Sequence, residues 1–329
     1  MVYICAVEGL ESGGPELLHQ LAFVLNQLNV KTKMAYLANG FPIRIVPSQV
    51  IPLYGDYVSE TEFDMEVMDR GENIVVIPEI AFDLVEQFQY ATKVAWWMSV
   101  DNYRGILQRE YGFSDEEMQT IECLDYYNFR NRNDVIHLAQ SYYAVDFLHH
   151  DMQVDMDNIG YLSDYINDSY FKMDFQTIDN ERKNIVLFNP KKGGERLKKL
   201  IDATAGEIGW VPLENLTREK MQLYMMIAKV YVDFGNHPGK DRIPREAAIS
   251  GCCVITGMHG AAKFHEDVPI PNKYKVDDLE DLDVSHVRDL ILDIFEHYDE
   301  RIDDFEEYRT MIRGEKEKFI KDAMNLFCI

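Results

Sequence analysis

The sequence predicts an α/β protein made of two doubly wound parallel-sheet domains in series, with a ligand cleft between them. Three observations predict it. Short apolar runs alternate with helix-length amphipathic segments, a polar stretch interrupts that rhythm near the middle, and the rhythm then starts again. At 329 residues and 47% apolar content the chain suits about two globular domains.

In the first series the expected strands are Val2 to Val7, Lys33 to Leu37, Asn73 to Ile77, Lys93 to Met98 and Asp134 to Ala139. Helices are expected from near Pro15, Phe82, Asp101, Ser114 and Ser141, several opening on the Pro, Ser or Asp that suits a helix start. From Asn158 to Arg182 no long apolar run occurs, and this reads as the connection between domains. The second series has strands at Asn184 to Phe188, Trp210 to Leu213, Val230 to Phe234 and Cys252 to Thr256, with helices from Gly194, Thr217 and Pro244. Asp277 to Arg309 carries fourteen acids and three arginines, while Leu290, Ile291, Ile294, Phe295, Tyr298, Ile302 and Phe305 recur at helical spacing, as in an amphipathic helix or two with an acidic face.

Thirty-three Lys and Arg against 57 Asp and Glu give a formal net charge of -24, which argues against nucleic acid as a partner and confines any anion to a local site. The five cysteines, Cys5, Cys123, Cys252, Cys253 and Cys328, show no C-x-x-C spacing and suit buried thiols in a reducing cytoplasm. The apolar start ends at Glu8 without a basic flank, and no other run reaches bilayer length, so a cytoplasmic protein with room for peripheral membrane contact is expected.

Against this acidic background, Arg182 to Lys199 holds seven bases and one acid. Its centre, Asn189-Pro190-Lys191-Lys192-Gly193-Gly194, joins a strand to a helix; free N–H groups and lysines there suit a phosphate, or the basic face balances an acidic neighbour. A second such loop is Phe234-Gly235-Asn236-His237-Pro238-Gly239-Lys240-Asp241-Arg242. Both follow strands of one parallel sheet and open on the same edge, which suggests a diphosphate. Glu246 follows the second loop in the first turn of an otherwise apolar helix, where it either favours the helix dipole, pairs with Arg242 or Arg245, or accepts hydrogen bonds from sugar hydroxyls.

Pro244-Arg245-Glu246-Ala247-Ala248-Ile249-Ser250-Gly251-Cys252-Cys253-Val254-Ile255 resembles the P-x-E-A-x-x-x-G-x-x-V-I signature of GT-B glycosyltransferases, especially the retaining family typified by glycogen synthase and bacterial mannosyltransferases. Gly13-Gly14-Pro15-Glu16 is similar to the G-G-x-E that opens that family's first helix. The strand from Asp134 to Ser141 and the Asn189 to Gly193 loop also sit where the family has counterparts. The resemblance implies two Rossmann-like domains, an acceptor-side domain at 1–165, a nucleotide-sugar-binding domain at 166–305, and a helix at 306–329 crossing back to the first. It implies ribose binding by Glu246, diphosphate binding by Lys191 or Lys192, and a place for Gly13 and Gly14 near the transferred sugar. Gly239, Lys240 and Arg242 join the expected site from charge and position alone.

The family's second glutamate, eight residues before the first, is here Pro238, and the histidine it places at the end of its fourth strand is here Met98 in Met98-Ser99-Val100-Asp101-Asn102. The anomeric outcome is therefore open. If transfer inverts configuration, Asp101, Glu16 or His237 is the candidate base; Asp101 also fits a helix cap, Glu16 a dipole-favoured acid or a polar group facing the cleft, and His237 a phosphate or sugar ligand or a loop histidine satisfying backbone groups. Trp96, Trp97 and Trp210 fit either core packing or stacking on a base. Asp155-Met156-Asp157 and Asp281-Leu282-Asp283 match D-x-D but read as surface acids.

The expected function is transfer of a sugar from a nucleotide diphosphate donor to a glycan or lipid-linked acceptor in surface polysaccharide or glycoconjugate synthesis. Neither metal nor other cofactor is expected. The alternatives are a sugar-nucleotide epimerase or hydrolase, and a non-catalytic partner subunit of the same fold.

Overall fold

A computed structural model describes residues 1–114, 117, 129, 132–172, 182–277 and 282–327. The chain divides into two compact units, Met1–Asp164 with Glu317–Ile329, and Tyr165–Lys316.

The first unit is built on a seven-stranded sheet of order β3-β2-β1-β4-β5-β6-β7. The strands are β1 (Val2–Val7), β2 (Thr32–Leu37), β3 (Ile45–Val46), β4 (Ile74–Pro78), β5 (Thr92–Trp97), β6 (Val135–Ala139) and β7 (Ile159–Tyr161). All neighbours are parallel except β3, which pairs antiparallel with β2. The strands from the regular βα rhythm appear where the sequence places them, whereas β3 and β7 are edge additions of two and three residues, too short for periodicity to reveal. β7 lies inside the stretch read as a connection.

Helix α1 (Gly13–Gln27) follows β1 and buries Leu17, Leu18, Leu21 and Leu25. The helix expected from Phe82 is instead a kinked 3₁₀ segment, Glu79–Gln87, with non-helical backbone at Ala81. Helix α2 (Val100–Tyr111) ends at Gly112, whose φ of 70° supplies the left-handed residue such a stop favours. The segment expected to be helical from Ser114 lies largely outside the described residues, as do Cys123, Cys328 and Asp281. Trp96 and Trp97 are fully buried, their indole N–H groups donating to the Leu162 carbonyl and to His137 Nδ1, so the core role holds for both.

The second unit carries a four-stranded, all-parallel sheet of order β11-β10-β8-β9. Its strands are β8 (Lys183–Phe188), β9 (Gly209–Pro212), β10 (Ala228–Asp233) and β11 (Cys253–Thr256). Helices α3 (Gly194–Ala203), α4 (Arg218–Ile227) and α5 (Arg242–Ile249) connect them. Helix α6 (Val284–Glu296) buries Val287, Ile291, Ile294 and Phe295 in the same core, which is the amphipathic packing its spacing predicts. Helix α7 (Glu306–Phe327) closes the described chain. Its Tyr308 and Ile312 join the core of the second unit. Beyond Lys316 it belongs to the first, where a Cβ at Gly160 of β7 would lie 3.2 Å from Leu326.

Both sheets are doubly wound. Each reverses strand order once, between β1 and β4 in the first and between β8 and β10 in the second. Ligands of such sheets bind beyond the carboxyl ends of the strands at that reversal.

Candidate functional site

In the second unit the two basic loops are the segments that leave β8 and β10 at the reversal. Val232 pairs with Phe188 at the strand ends. The first loop turns into α3 through Gly193, whose φ is 79° and where a Cβ would meet Leu197 Cβ at 2.9 Å, so the turn requires glycine. Gly235 of the second loop lies so close that a Cβ there would sit 2.5 Å from Lys192 Cβ. Lys192 crosses between the loops, its ammonium donating to the Asn236 carbonyl at 2.8 Å and to the Asp241 carboxylate. Lys191 is exposed beside it.

Buried His237 lies between two carboxylates, with Nε2 3.5 Å from Asp233 Oδ1 and Nδ1 3.6 Å from Asp241 Oδ2. Burial disfavours a charged ring, but the two carboxylates outweigh it and raise the His237 pKa. Burial also acts to raise Asp233. The His237 ring, Lys192 and the Tyr231 hydroxyl prevail and hold it well below the usual carboxylate range. Asp233, His237 and Asp241 offer donor atoms within 4.8 Å of one another and are the group among the described residues able to hold a cation. The ring presents a different nitrogen to each acid.

Lys240 is buried rather than loop-tip. Its ammonium donates to Glu315 Oε1 on α7 at 2.9 Å, and the Arg245 guanidinium donates to Oε2 of the same carboxylate at 2.8 Å. Arg245 also donates to the Lys240 and Asp241 carbonyls at 2.8 and 3.1 Å, fixing the end of the loop to the start of α5. Gly239 is buried next to Lys240, and Arg242, half-buried, is the first residue of α5. Because α5 starts there, Pro244 and Glu246 are its third and fifth residues, so Glu246 lies past the first turn. The Tyr170 hydroxyl donates to Glu246 Oε2 at 2.9 Å.

The other basic residues of the segment divide by role. Arg182 donates to the Met225, Ala228 and Ser250 carbonyls, a structural clamp at the start of β8. Arg196 meets His259 at 3.1 Å. Trp210 is half-buried and donates to Thr204 Oγ1 at 3.0 Å.

In the first unit, Gly13 and Gly14 form the first turn of α1 at the β1 side of the reversal. A Cβ at Gly14 would lie 3.9 Å from Met98 Cε, which places the end of β5 beside this turn. Glu16 accepts from the Tyr57 hydroxyl at 3.4 Å. Asp101 is not the cap of α2: Ser99 is, accepting from the Asn102 N–H at 3.1 Å, while Asp101 Oδ1 accepts from the Tyr143 hydroxyl at 3.1 Å. The D-x-D acids cap helices where described, Asp155 accepting from Asp157 N–H and Asp283 from His286 N–H.

Sequence reasoning missed Glu79. It follows β4 directly, is 2% exposed, and accepts from the Met98 N–H at 3.2 Å. Burial pushes its pKa up to about 7, against the opposing pull of the N–H groups around it. The available signal was an acid directly after an apolar strand. Glu315 was missed for a different reason, since nothing in a helix of mixed charge marks one glutamate as buried.

No protein-family model and no curated protein matches the sequence. Solved structures do match over the whole chain. The glycosyltransferase WaaG, involved in lipopolysaccharide biosynthesis, superposes with a TM-score of 0.63 at 11% identity, over 99% of each chain. Sucrose-phosphate synthase (tll1590) from Thermosynechococcus elongatus gives 0.63 at 12% identity, over 99% of this chain and 98% of its own. Anabaena Alr3699/HepE, solved in complex with UDP, gives 0.64 at 11% identity over the full length of both. With its seven-stranded and four-stranded doubly wound sheets, the chain has the GT-B fold of these glycosyltransferases.

Proposed function

We propose that this protein is a glycosyltransferase that moves a sugar from a nucleotide diphosphate donor to a glycan or lipid-linked acceptor of surface polysaccharide or glycoconjugate synthesis. The observation that carries the reading is the convergence of two basic loops at the reversal of the second sheet, with Glu246 on the helix that leaves one of them. In this reading the N–H groups opening α3, with Lys191 and Lys192, receive the diphosphate, and Glu246 accepts from the ribose hydroxyls. Tyr170 occupies one oxygen of that carboxylate and thereby orients it. The same cations stabilise the negative charge that develops as the diphosphate departs. The acceptor belongs to the first unit, where Gly13, Gly14 and the candidate bases Asp101 and Glu16 lie.

The reading assigns charge stabilisation to lysines and needs no metal. Chelation with EDTA is expected to leave turnover unchanged; loss of turnover restored by a divalent cation would instead assign that ion to Asp233, His237 and Asp241. A cytoplasmic location fits the reading, and no helix among the described residues is long and apolar enough to cross a membrane.

Titration with UDP, GDP and ADP tests the donor site. One of them is expected to bind, and Glu246→Ala is expected to weaken it about 10- to 100-fold, the worth of hydrogen bonds to a charged acceptor. Unchanged affinity in that variant would remove the ribose role. The pairing of Lys192 and Lys240 with protein carboxylates favours one second reading, a non-catalytic partner subunit, which predicts no turnover with any donor and acceptor.

A further inference from the structure

Resting on the reading of the second unit as a nucleotide diphosphate site, we infer that Asp241 is an affinity-setting residue of that site. It competes with the diphosphate for Lys192, so that the spent nucleotide leaves readily. Lys192 comes from the loop after β8, and Asp241 occupies the N-cap position of α5 at the end of the loop after β10. Their side chains are 22% and 19% exposed, so the pair lies at the mouth of the strand reversal and not in the core. Asp241 makes no capping hydrogen bond to its own helix. Its carboxylate is turned instead to the Lys192 ammonium and to His237 Nδ1.

The remaining bonds of Lys192 set the geometry of the competition. The Asn236 carbonyl holds its ammonium over the second loop, and Asp233 Oδ2 lies 3.9 Å away. A phosphate oxygen reaching this ammonium meets a cation already neutralised by Asp241, and meets the Asp241 carboxylate as a like charge. Lys240 differs, because both it and its acid Glu315 are buried with side chains 4% exposed, so that pair reads as fixed structure. Between the Lys192–Asp241 and Lys240–Glu315 pairs, it is the first that can exchange its acid for a ligand without opening the core. An enzyme that must release a nucleoside diphosphate after each transfer gains turnover from an internal anion that takes back the cation.

The test is calorimetric titration of the full-length protein with UDP, GDP, ADP and inorganic pyrophosphate, in wild type, Asp241→Asn, Lys192→Ala and the double variant. Asp241→Ser is measured alongside, because serine is a good helix N-cap and guards against a folding defect. Both Asp241 variants are expected to bind the recognised nucleotide and pyrophosphate about five- to tenfold more tightly than wild type. In the Lys192→Ala background the gain is expected to shrink to the part that direct repulsion between Asp241 and the phosphate supplies, as coupling through one cation requires. Equal or weaker binding in the Asp241 variants overturns the inference, and so does a gain that is undiminished without Lys192. If nucleotides bind but Glu246→Ala leaves their affinity unchanged, the ribose assignment fails while the Asp241 result stands. No binding of any of the four probes to any variant overturns both.

Discussion

Three carboxylates decide most of the local chemistry, and each has a different environment. Glu246 keeps a tyrosine hydroxyl on one oxygen, Glu315 is saturated by two cations, and Glu79 is buried among backbone N–H groups. Glu79 gives the sharpest pH prediction. Its folded pKa is raised from 4.5 to about 7, so the native state binds the extra proton across that window. Stability contributed by this group is therefore highest below the unfolded value and declines as pH rises from about 4.5 to 7. Urea unfolding at several pH values should show Glu79→Gln losing part of that decline. An identical pH profile in the variant would show the carboxyl to be solvated and unperturbed.

Among elements, the decisive contact is between α7 and the loop that opens α5. Glu315 supplies one carboxylate to both Lys240 and Arg245, and Arg245 in turn holds two loop carbonyls. Removing it withdraws from two buried cations the carboxylate they share. Glu315→Ala is expected to cost about 3–5 kcal/mol in chemical denaturation, and Glu315→Gln less because it keeps the hydrogen-bonding shape. A cost below 1 kcal/mol for the alanine variant would mean that solvent reaches the cluster. The basic loops themselves were legible in the sequence because glycines and lysines are local signals between a strand and a helix. Their counter-ions were not, since Glu315 lies 75 residues from Lys240 and Tyr170 lies 76 from Glu246. The expected helix from Phe82 failed for a related reason. Phe82, Leu84 and Val85 are all buried, so an apolar cluster imitated helical periodicity while the chain kinked at Ala81.

For the whole molecule, the fold class was readable because doubly wound sheets repeat one strand–helix unit and each repeat renews the signal. The reversals in strand order, which place the candidate sites, are long-range pairings and became visible only in the sheets. A formal net charge of -24 makes the concentration of cations at one sheet edge meaningful, yet Lys192, Lys240 and Arg245 are each paired with a nearby carboxylate. In the proposed reading, anion binding there draws on exchange at Lys192 and on backbone N–H groups more than on bare positive potential. Counting bases alone does not separate Lys191, which is exposed, from Lys240 and Arg182, which donate to protein groups.

The central claim is that the second unit holds a nucleotide diphosphate through the two loops and Glu246. The most direct measurement is thermal unfolding of the wild type and of Glu246→Ala with saturating nucleoside diphosphates and their sugar conjugates, since a ligand selective for the folded state raises the midpoint. The account predicts a rise for one base, shared by its sugar conjugates and largely lost in Glu246→Ala. No rise with any nucleotide, or an equal rise in wild type and variant, would contradict it.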